Sequence, residues 1–136
     1  MEFFKYKGVD VSGIIDRIPQ PERDGLPFGL IKLDTVGNIL EYNMTESSIT
    51  GRNPALVLGK NFFLEVAPCT QTPEFYGRFL EGVEKKFLNT VFEYVFDHEM
   101  AATKVKVQMI LIKSIAKHNV WVIVKRSAAV SPSEMR

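Results

Sequence analysis

Residues 89–97 read Asn89-Thr90-Val91-Phe92-Glu93-Tyr94-Val95-Phe96-Asp97, residues 104–112 read Lys104-Val105-Lys106-Val107-Gln108-Met109-Ile110-Leu111-Ile112, and residues 120–125 read Val120-Trp121-Val122-Ile123-Val124-Lys125. In the first run Phe92, Tyr94 and Phe96 fall on one face and Val91, Glu93 and Val95 on the other, the period of a strand. In the second, Val105, Val107, Met109 and Leu111 alternate with Lys104, Lys106 and Gln108 before the pattern turns wholly apolar. The third is centred on Trp121. Turn signals near 98–103 and 114–119 join the three runs as an antiparallel meander.

Working back, Gly29–Asp34 and Ile39–Tyr42 flank the turn Thr35-Val36-Gly37-Asn38 and predict a hairpin. Between hairpin and meander the pattern is helical. Asn43 is an N-cap, with Glu46 three residues on to complete a capping box, and Gly51 offers a left-handed stop after Thr50. Asn53 and Pro54 open a second short helix that ends at Gly59. Phe75, Phe79, Val83 and Phe87 recur every four residues and predict the longest helix over 75–87, with Thr72 as its cap. Two strands, several helices and three strands make an α+β domain: a five-stranded antiparallel sheet with helices on one face.

Residues 1–28 carry one weak signal. Asp10 caps a short helix in which Val11, Ile14, Ile15 and Ile18 share a face, and prolines at 19, 21 and 27 stop anything longer. So short a helix needs the rest of the domain to lean on. This segment is read as a docked, weakly held N-terminal cap, followed by a core over 29–126. The small residues and proline of 127–136 predict a disordered tail or the start of a linker.

With 136 residues, 46% of them hydrophobic and 24% charged, the chain is one soluble domain. A net charge of +1 gives no electrostatic case for nucleic acid or an anionic membrane. One cysteine excludes an internal disulfide framework and, with no signal-peptide pattern at Met1–Lys7, points to a cytoplasmic protein. The longest aliphatic run, Met109–Ile112, is far short of the roughly 20 residues that span a bilayer.

The chemistry-bearing residues are few. Phosphate-binding glycine patterns are absent, and His98 and His118, in separate turns with one cysteine, make no convincing metal site. Cys69 lies in Val66-Ala67-Pro68-Cys69-Thr70, between the apolar run 61–65 and the helix start at Thr72. A thiol at the positive end of a helix dipole is an activated nucleophile or attachment point; the alternative is a buried structural cysteine. A Cys69–His98 nucleophilic pair lacks an orienting third group. A polar set gathers at 42–52: Tyr42 at a strand end, Glu46 and Thr50 four apart on one helical face, and Arg52 just beyond. Taken singly, these read as a core tyrosine, a capping carboxylate and a surface charge.

Taken together with Asp24-Gly25-Leu26, Gly37-Asn38-Ile39-Leu40, Ile49-Thr50-Gly51-Arg52, Gly59-Lys60-Asn61-Phe62-Phe63, Val66-Ala67-Pro68-Cys69-Thr70, Pro73-Glu74-Phe75-Tyr76-Gly77, Phe92-Glu93-Tyr94, Thr103–Val107 and Val124-Lys125-Arg126, they give more. The sequence resembles the photoactive yellow protein family, blue-light receptors of the PAS fold, over nearly all of residues 24–126. The resemblance implies 4-hydroxycinnamic acid (p-coumaric acid) held as a thioester at Cys69, its phenolic oxygen hydrogen-bonded by Tyr42 and Glu46. It implies that Thr50 supports Tyr42, that Arg52 shields the ring, that Phe62, Val66 and Phe96 form apolar walls, and that Met100 bears on thermal recovery.

It further implies trans-to-cis photoisomerisation, proton transfer from Glu46, partial unfolding of 1–28, and no enzymatic activity in the domain itself. Members occur alone or fused ahead of phytochrome-like and kinase modules, so the expected partner is an unknown downstream protein or a fused output domain, such as that of a histidine kinase. The sequence departs from the pattern at His98, where a tyrosine is common, in the weakly matching N-terminal segment, and in a small insertion at 113–119. The competing reading is a PAS domain sensing a non-covalent ligand or redox signal, with Cys69 an ordinary thiol. Gly51-Arg52-Asn53 is followed by Pro54, not the cysteine that flavin photochemistry would need.

Overall fold

The structure, a computed structural model, describes residues 4–115 and 117–129. A small hairpin of β1 (Lys5–Tyr6) and β2 (Val9–Asp10) begins the chain, turning through Lys7 and Gly8 at φ 52° and 78°. Two 3-10 turns and α1 (Gln20–Asp24) follow, then β3 (Gly29–Leu33), β4 (Ile39–Tyr42), α2 (Met44–Thr50) and α3 (Pro54–Val57). A π-helical turn at Phe62–Val66, a 3-10 turn at Pro68–Thr70 and a second π-helical turn at Pro73–Gly77 lead into α4 (Arg78–Lys85). The meander is β5 (Asn89–Phe96), β6 (Thr103–Lys113) and β7 (His118–Ala129).

Strands β3 to β7 form one five-stranded antiparallel sheet in the order β4-β3-β7-β6-β5. The hairpin and meander expected from sequence are joined through the β3–β7 pair. Strand alternation then sorts the side chains onto two faces. Ile31, Leu33, Val105, Val107, Met109, Val120, Val122 and Val124 bury against the helical layer, with Phe62, Phe63, Phe75 and Phe79. The other face carries Leu30, Trp121 and Ile123, covered by Phe4, Val11, Ile15, Ile18, Leu26 and Phe28 of the N-terminal segment.

Several local expectations are corrected. The expected helix after Asp10 is two 3-10 turns, Val11–Gly13 and Ile15–Arg17; Asp10 does cap the first, accepting from the Ser12 amide at 3.0 Å. The prolines do keep the helical pieces short, the second turn ending at Arg17 ahead of Pro19; a separate helix, α1, not expected from sequence, starts beyond it with Pro21 in its first turn, where the missing N–H costs nothing. The second short helix stops at Val57 rather than Gly59. The expected helix 75–87 is a π-helical turn followed by α4, closed by Lys86 in the left-handed conformation, φ 57°. Phe87 therefore leaves the stripe and is 74% exposed. β7 continues to Ala129, so 127–129 extend the sheet; residues 130–136 of the expected tail lie outside the described residues.

Candidate functional site

The site begins where β4 hands over to α2. Asn43 caps α2, its Oδ1 accepting from the Glu46 amide and from the Leu30 amide, each at 2.9 Å. Its Nδ2 donates to the carbonyls of Arg23 and Phe28. Only half of the expected capping box forms. The Asn43 N–H is taken by the Leu30 carbonyl, and the Glu46 carboxyl turns inward instead of back to the cap. Glu46 is 1% exposed, and neither carboxylate oxygen has a hydrogen-bond partner. Burial raises its pKa to about 8, with the Arg52 charge pulling weakly the other way.

One turn further along α2, Thr50 Oγ1 lies 2.6 Å from the Tyr42 hydroxyl and donates back to the Glu46 carbonyl. Tyr42 is buried, which together with the nearby Glu46 pushes its pKa well above the ordinary phenol value; Thr50 and Arg52 oppose this. Gly51, φ 76°, ends α2 in the left-handed conformation and aims the chain at Arg52. The Arg52 guanidinium donates to the His98 carbonyl at 2.7 Å and rests 3.9 Å from Met100 Sδ. His98 thus enters through its main chain. Its ring points to Glu99, at 3.8 Å.

Cys69 lies in the 3-10 turn Pro68–Thr70, half-buried against the main core. Thr72 holds the expected N-cap position with Pro73 in the first turn, but its side chain makes no capping hydrogen bond. Thr72 Oγ1 instead pairs with the Tyr94 hydroxyl at 3.0 Å, and that hydroxyl donates to the Cys69 carbonyl at 2.5 Å. Phe62, Val66 and Phe96 are buried in the same cluster, and Met100 packs on it. Phe75 stacks with Phe96 and meets Phe62 and Tyr94 edge-on or tilted, so an aromatic wall runs from the cysteine turn across β5.

Sequence reasoning missed two residues here. In the sequence Tyr94 stands out for nothing beyond strand alternation and a shared block, yet its hydroxyl ties the cysteine turn to the sheet. Gly29 marks a strand start, yet a Cβ there would fall 2.1 Å from Glu46 Oε1. The signal was a lone glycine in a strand, which marks close approach of another group.

A buried acid with two unpartnered oxygens, a tyrosine hydroxyl paired with a threonine, a half-buried cysteine and an aromatic wall are brought to one side of the sheet. Among the described residues no cluster of His, Cys, Asp and Glu suits a metal ion, and no helix is long and apolar enough to cross a membrane. A scan against protein-family models returns no match. The photoactive yellow protein of Rhodothalassium salexigens is 48% identical over 126 residues, which cover 93% of this chain and 99% of that protein. The chain belongs to the photoactive yellow protein family. The photoactive yellow protein domain of the sensor histidine kinase Ppr from Rhodospirillum centenum superposes with a TM-score of 0.76 at 43% identity, covering 84% of this chain and 98% of that one. A PAS domain from Colwellia psychrerythraea, 14% identical with a TM-score of 0.67 over 85% of this chain and 97% of that one, shares the fold. The α+β PAS architecture expected from sequence is the one observed, and the chain is a sensory photoreceptor of the photoactive yellow protein type.

Proposed function

We propose that this chain is a blue-light receptor that carries 4-hydroxycinnamic acid as a thioester on Cys69 Sγ and signals by moving a proton off Glu46. When bound, this group supplies an ionisable phenol conjugated to a double bond that light can isomerise. Tyr42 and Glu46 hold the phenolic end as hydrogen-bond donors, Thr50 turns its hydroxyl proton from the Glu46 carbonyl to the Tyr42 oxygen so that the Tyr42 proton is free for the ligand, and Phe62, Val66 and Phe96 keep water out. Arg52, anchored on the His98 carbonyl and against Met100, closes the solvent side. Met100 is positioned to bear on recovery, and the His98 side chain, at the rim, modulates it.

The observation that carries this reading is the Glu46 carboxyl, buried with both oxygens unpartnered. A free glutamic acid titrates near 4.3 and a free phenol near 10, so a site that ionises the phenol in preference must invert a gap of roughly 5–6 units, about 8 kcal/mol. A dry seat penalises the carboxylate, and short hydrogen bonds favour a delocalised phenolate. Once light moves the acceptor, Glu46 gives up its proton and becomes an unpaired anion in an apolar site, which costs several kcal/mol. That strain is comparable with the stability of a small domain. It is relieved by loosening the N-terminal segment that Asn43 ties to α2, exposing a surface to a downstream partner or a fused output module in the cytoplasm.

The test is to offer the purified chain an activated p-coumaric ester, digest it, and weigh the Cys69 peptide. The expected result is a base-labile hydroxycinnamoyl adduct on Cys69 and a visible band that bleaches after a blue flash and then returns. An unmodified Cys69 in a colourless protein would instead favour a non-covalent PAS sensor.

A further inference from the structure

Gly29 opens β3 on the face that looks into the site, two residues before Ile31, and pairs with Val124 of β7. Its backbone is not among those with positive φ, so torsion alone does not demand glycine there. Space does. A Cβ at this position would lie 2.1 Å from Glu46 Oε1 and 3.1 Å from both Glu46 Cβ and Cδ, and its three nearest neighbours all belong to Glu46. The atom met most severely is the far end of a flexible side chain, not backbone. A methyl group at 29 is therefore met first by the Glu46 carboxyl, which must swing aside, while the 3.1 Å approach to Glu46 Cβ asks α2 to give by a few tenths of an ångström.

We propose that Gly29 is a positioning residue for the proton donor: the missing side chain at 29 forms the seat that keeps the Glu46 carboxyl buried and free of partners, and side-chain size at this position tunes that acid. The inference rests on the reading of Glu46 as the donor, but it concerns the polypeptide itself. The raised pKa of Glu46 is caused by burial, so a group that pushes the carboxyl toward water brings it back toward the ordinary carboxylate range. The charged group that bears on it is Arg52, tied to the His98 carbonyl, and the titratable group beside it is the Tyr42 hydroxyl, which burial and Glu46 keep protonated; neither is among the nearest atoms that a Cβ at 29 would meet.

The experiment uses the chain with carboxyl-labelled glutamate, before any chromophore is attached, and follows Glu46 by isotope-edited infrared titration. The Glu46→Gln variant assigns its band. The parent chain is expected to keep the neutral acid to about pH 8. Gly29→Ala is expected to lower the midpoint by about two pH units, roughly a hundredfold in the dissociation constant. Gly29→Ala with Glu46→Asp, one methylene shorter, is expected to recover part of the lost elevation. A folded Gly29→Ala variant whose Glu46 titrates as in the parent overturns the proposal. If Gly29→Ala does not fold, the pair Gly29→Ala with Glu46→Ala decides. Folding of that pair supports a clash made by the Glu46 carboxyl; its failure to fold shows that the approach of β3 to α2, which alanine at 46 keeps through its Cβ, requires glycine whatever the acid does, and overturns the proposal. Failure of Cys69 to accept a p-coumaroyl group would sink the photoreceptor mechanism and leave this result intact.

Discussion

At the scale of single residues, Glu46 makes a thermodynamic demand that can be measured on the bare polypeptide. Its pKa is about 8 in the folded chain against 4.5 for an ordinary glutamic acid. Below the lower value both folded and unfolded chains hold the proton, and the contribution to stability is complete. Between the two, the unfolded chain has released its proton while the folded one retains it, so stability falls as pH rises and is lost by the time the folded acid titrates. The ceiling on the loss is about 4–5 kcal/mol. Glu46→Gln removes the titration and leaves an amide with few partners, so it is expected to be the less stable protein near pH 5 and to equal or surpass the parent near pH 9. Urea unfolding at the two pH values checks this, and parallel profiles would mean that the acid is not dry. Which residues gather at 42–52 was legible from spacing: Tyr42, Glu46 and Thr50 do converge. What could not be read was the direction of the Glu46 side chain. The same Asn-x-x-Glu pattern that spells a capping box also fits an inward acid, and the choice is made by Gly29 and by Leu30, which takes the Asn43 N–H.

At the scale of elements, α4 shows how a periodic pattern misleads. Phe75, Phe79, Val83 and Phe87 suggest one continuous helix, and the first two are fully buried. The chain instead takes a wide π-helical turn through Pro73–Gly77, then α4, then a left-handed Lys86 that folds Leu88 back over the helix. A Cβ on Gly82 would lie 2.6 Å from Leu88 Cβ, so Leu88 occupies the place that periodicity assigned to Phe87. Helix propensity alone gives Gly82→Ala about 1 kcal/mol of stabilisation. The close approach of Leu88 reverses the sign, and a loss of about 1–3 kcal/mol in chemical unfolding is expected. Leu88→Ala in the same chain should not rescue the substitution at 82, because alanine keeps the Cβ that makes the closest contact and loses a buried side chain besides. A net gain from Gly82→Ala alone would mean that the return of the chain over α4 is not tight. The hairpin and meander were legible because alternation is local. The β3–β7 pairing, between strands some 90 residues apart in sequence, leaves no periodic trace in either strand.

At the scale of the molecule, one sheet separates two cores of unequal attachment. The main core draws on all five strands of the sheet and on the helices and turns from α3 to α4, whereas the second consists of the N-terminal segment resting on Leu30, Trp121 and Ile123. Trp121 is the keystone of that face: its indole N–H donates to Asp16 at 2.7 Å, and Arg23 and Lys32 each lie 5.3 Å from its ring. Arg23 also clamps both oxygens of Glu41. The remaining ties run to the start of α2: Asp24 accepts from the Met44 amide, the Leu26 carbonyl from Thr45, and the carbonyls of Arg23 and Phe28 from Asn43. So the segment is held by a few polar contacts to the helix that carries Glu46, over a modest apolar area, and should open as a unit before the sheet does. Native-state hydrogen exchange is expected to show the amides of Val11, Ile14 and Arg17 released through an opening of lower free energy and smaller denaturant dependence than the amides that pair β6 with β7. Asn43→Ala, which deletes two of the ties and the α2 cap, is expected to lower protection in residues 4–28 by about 2–3 kcal/mol while moving the β6–β7 amides far less. If the segment and the central strands exchange with one free energy and one denaturant slope, the N-terminal segment is not a separable unit, and a charge appearing on Glu46 would have no loosely held element on which to act.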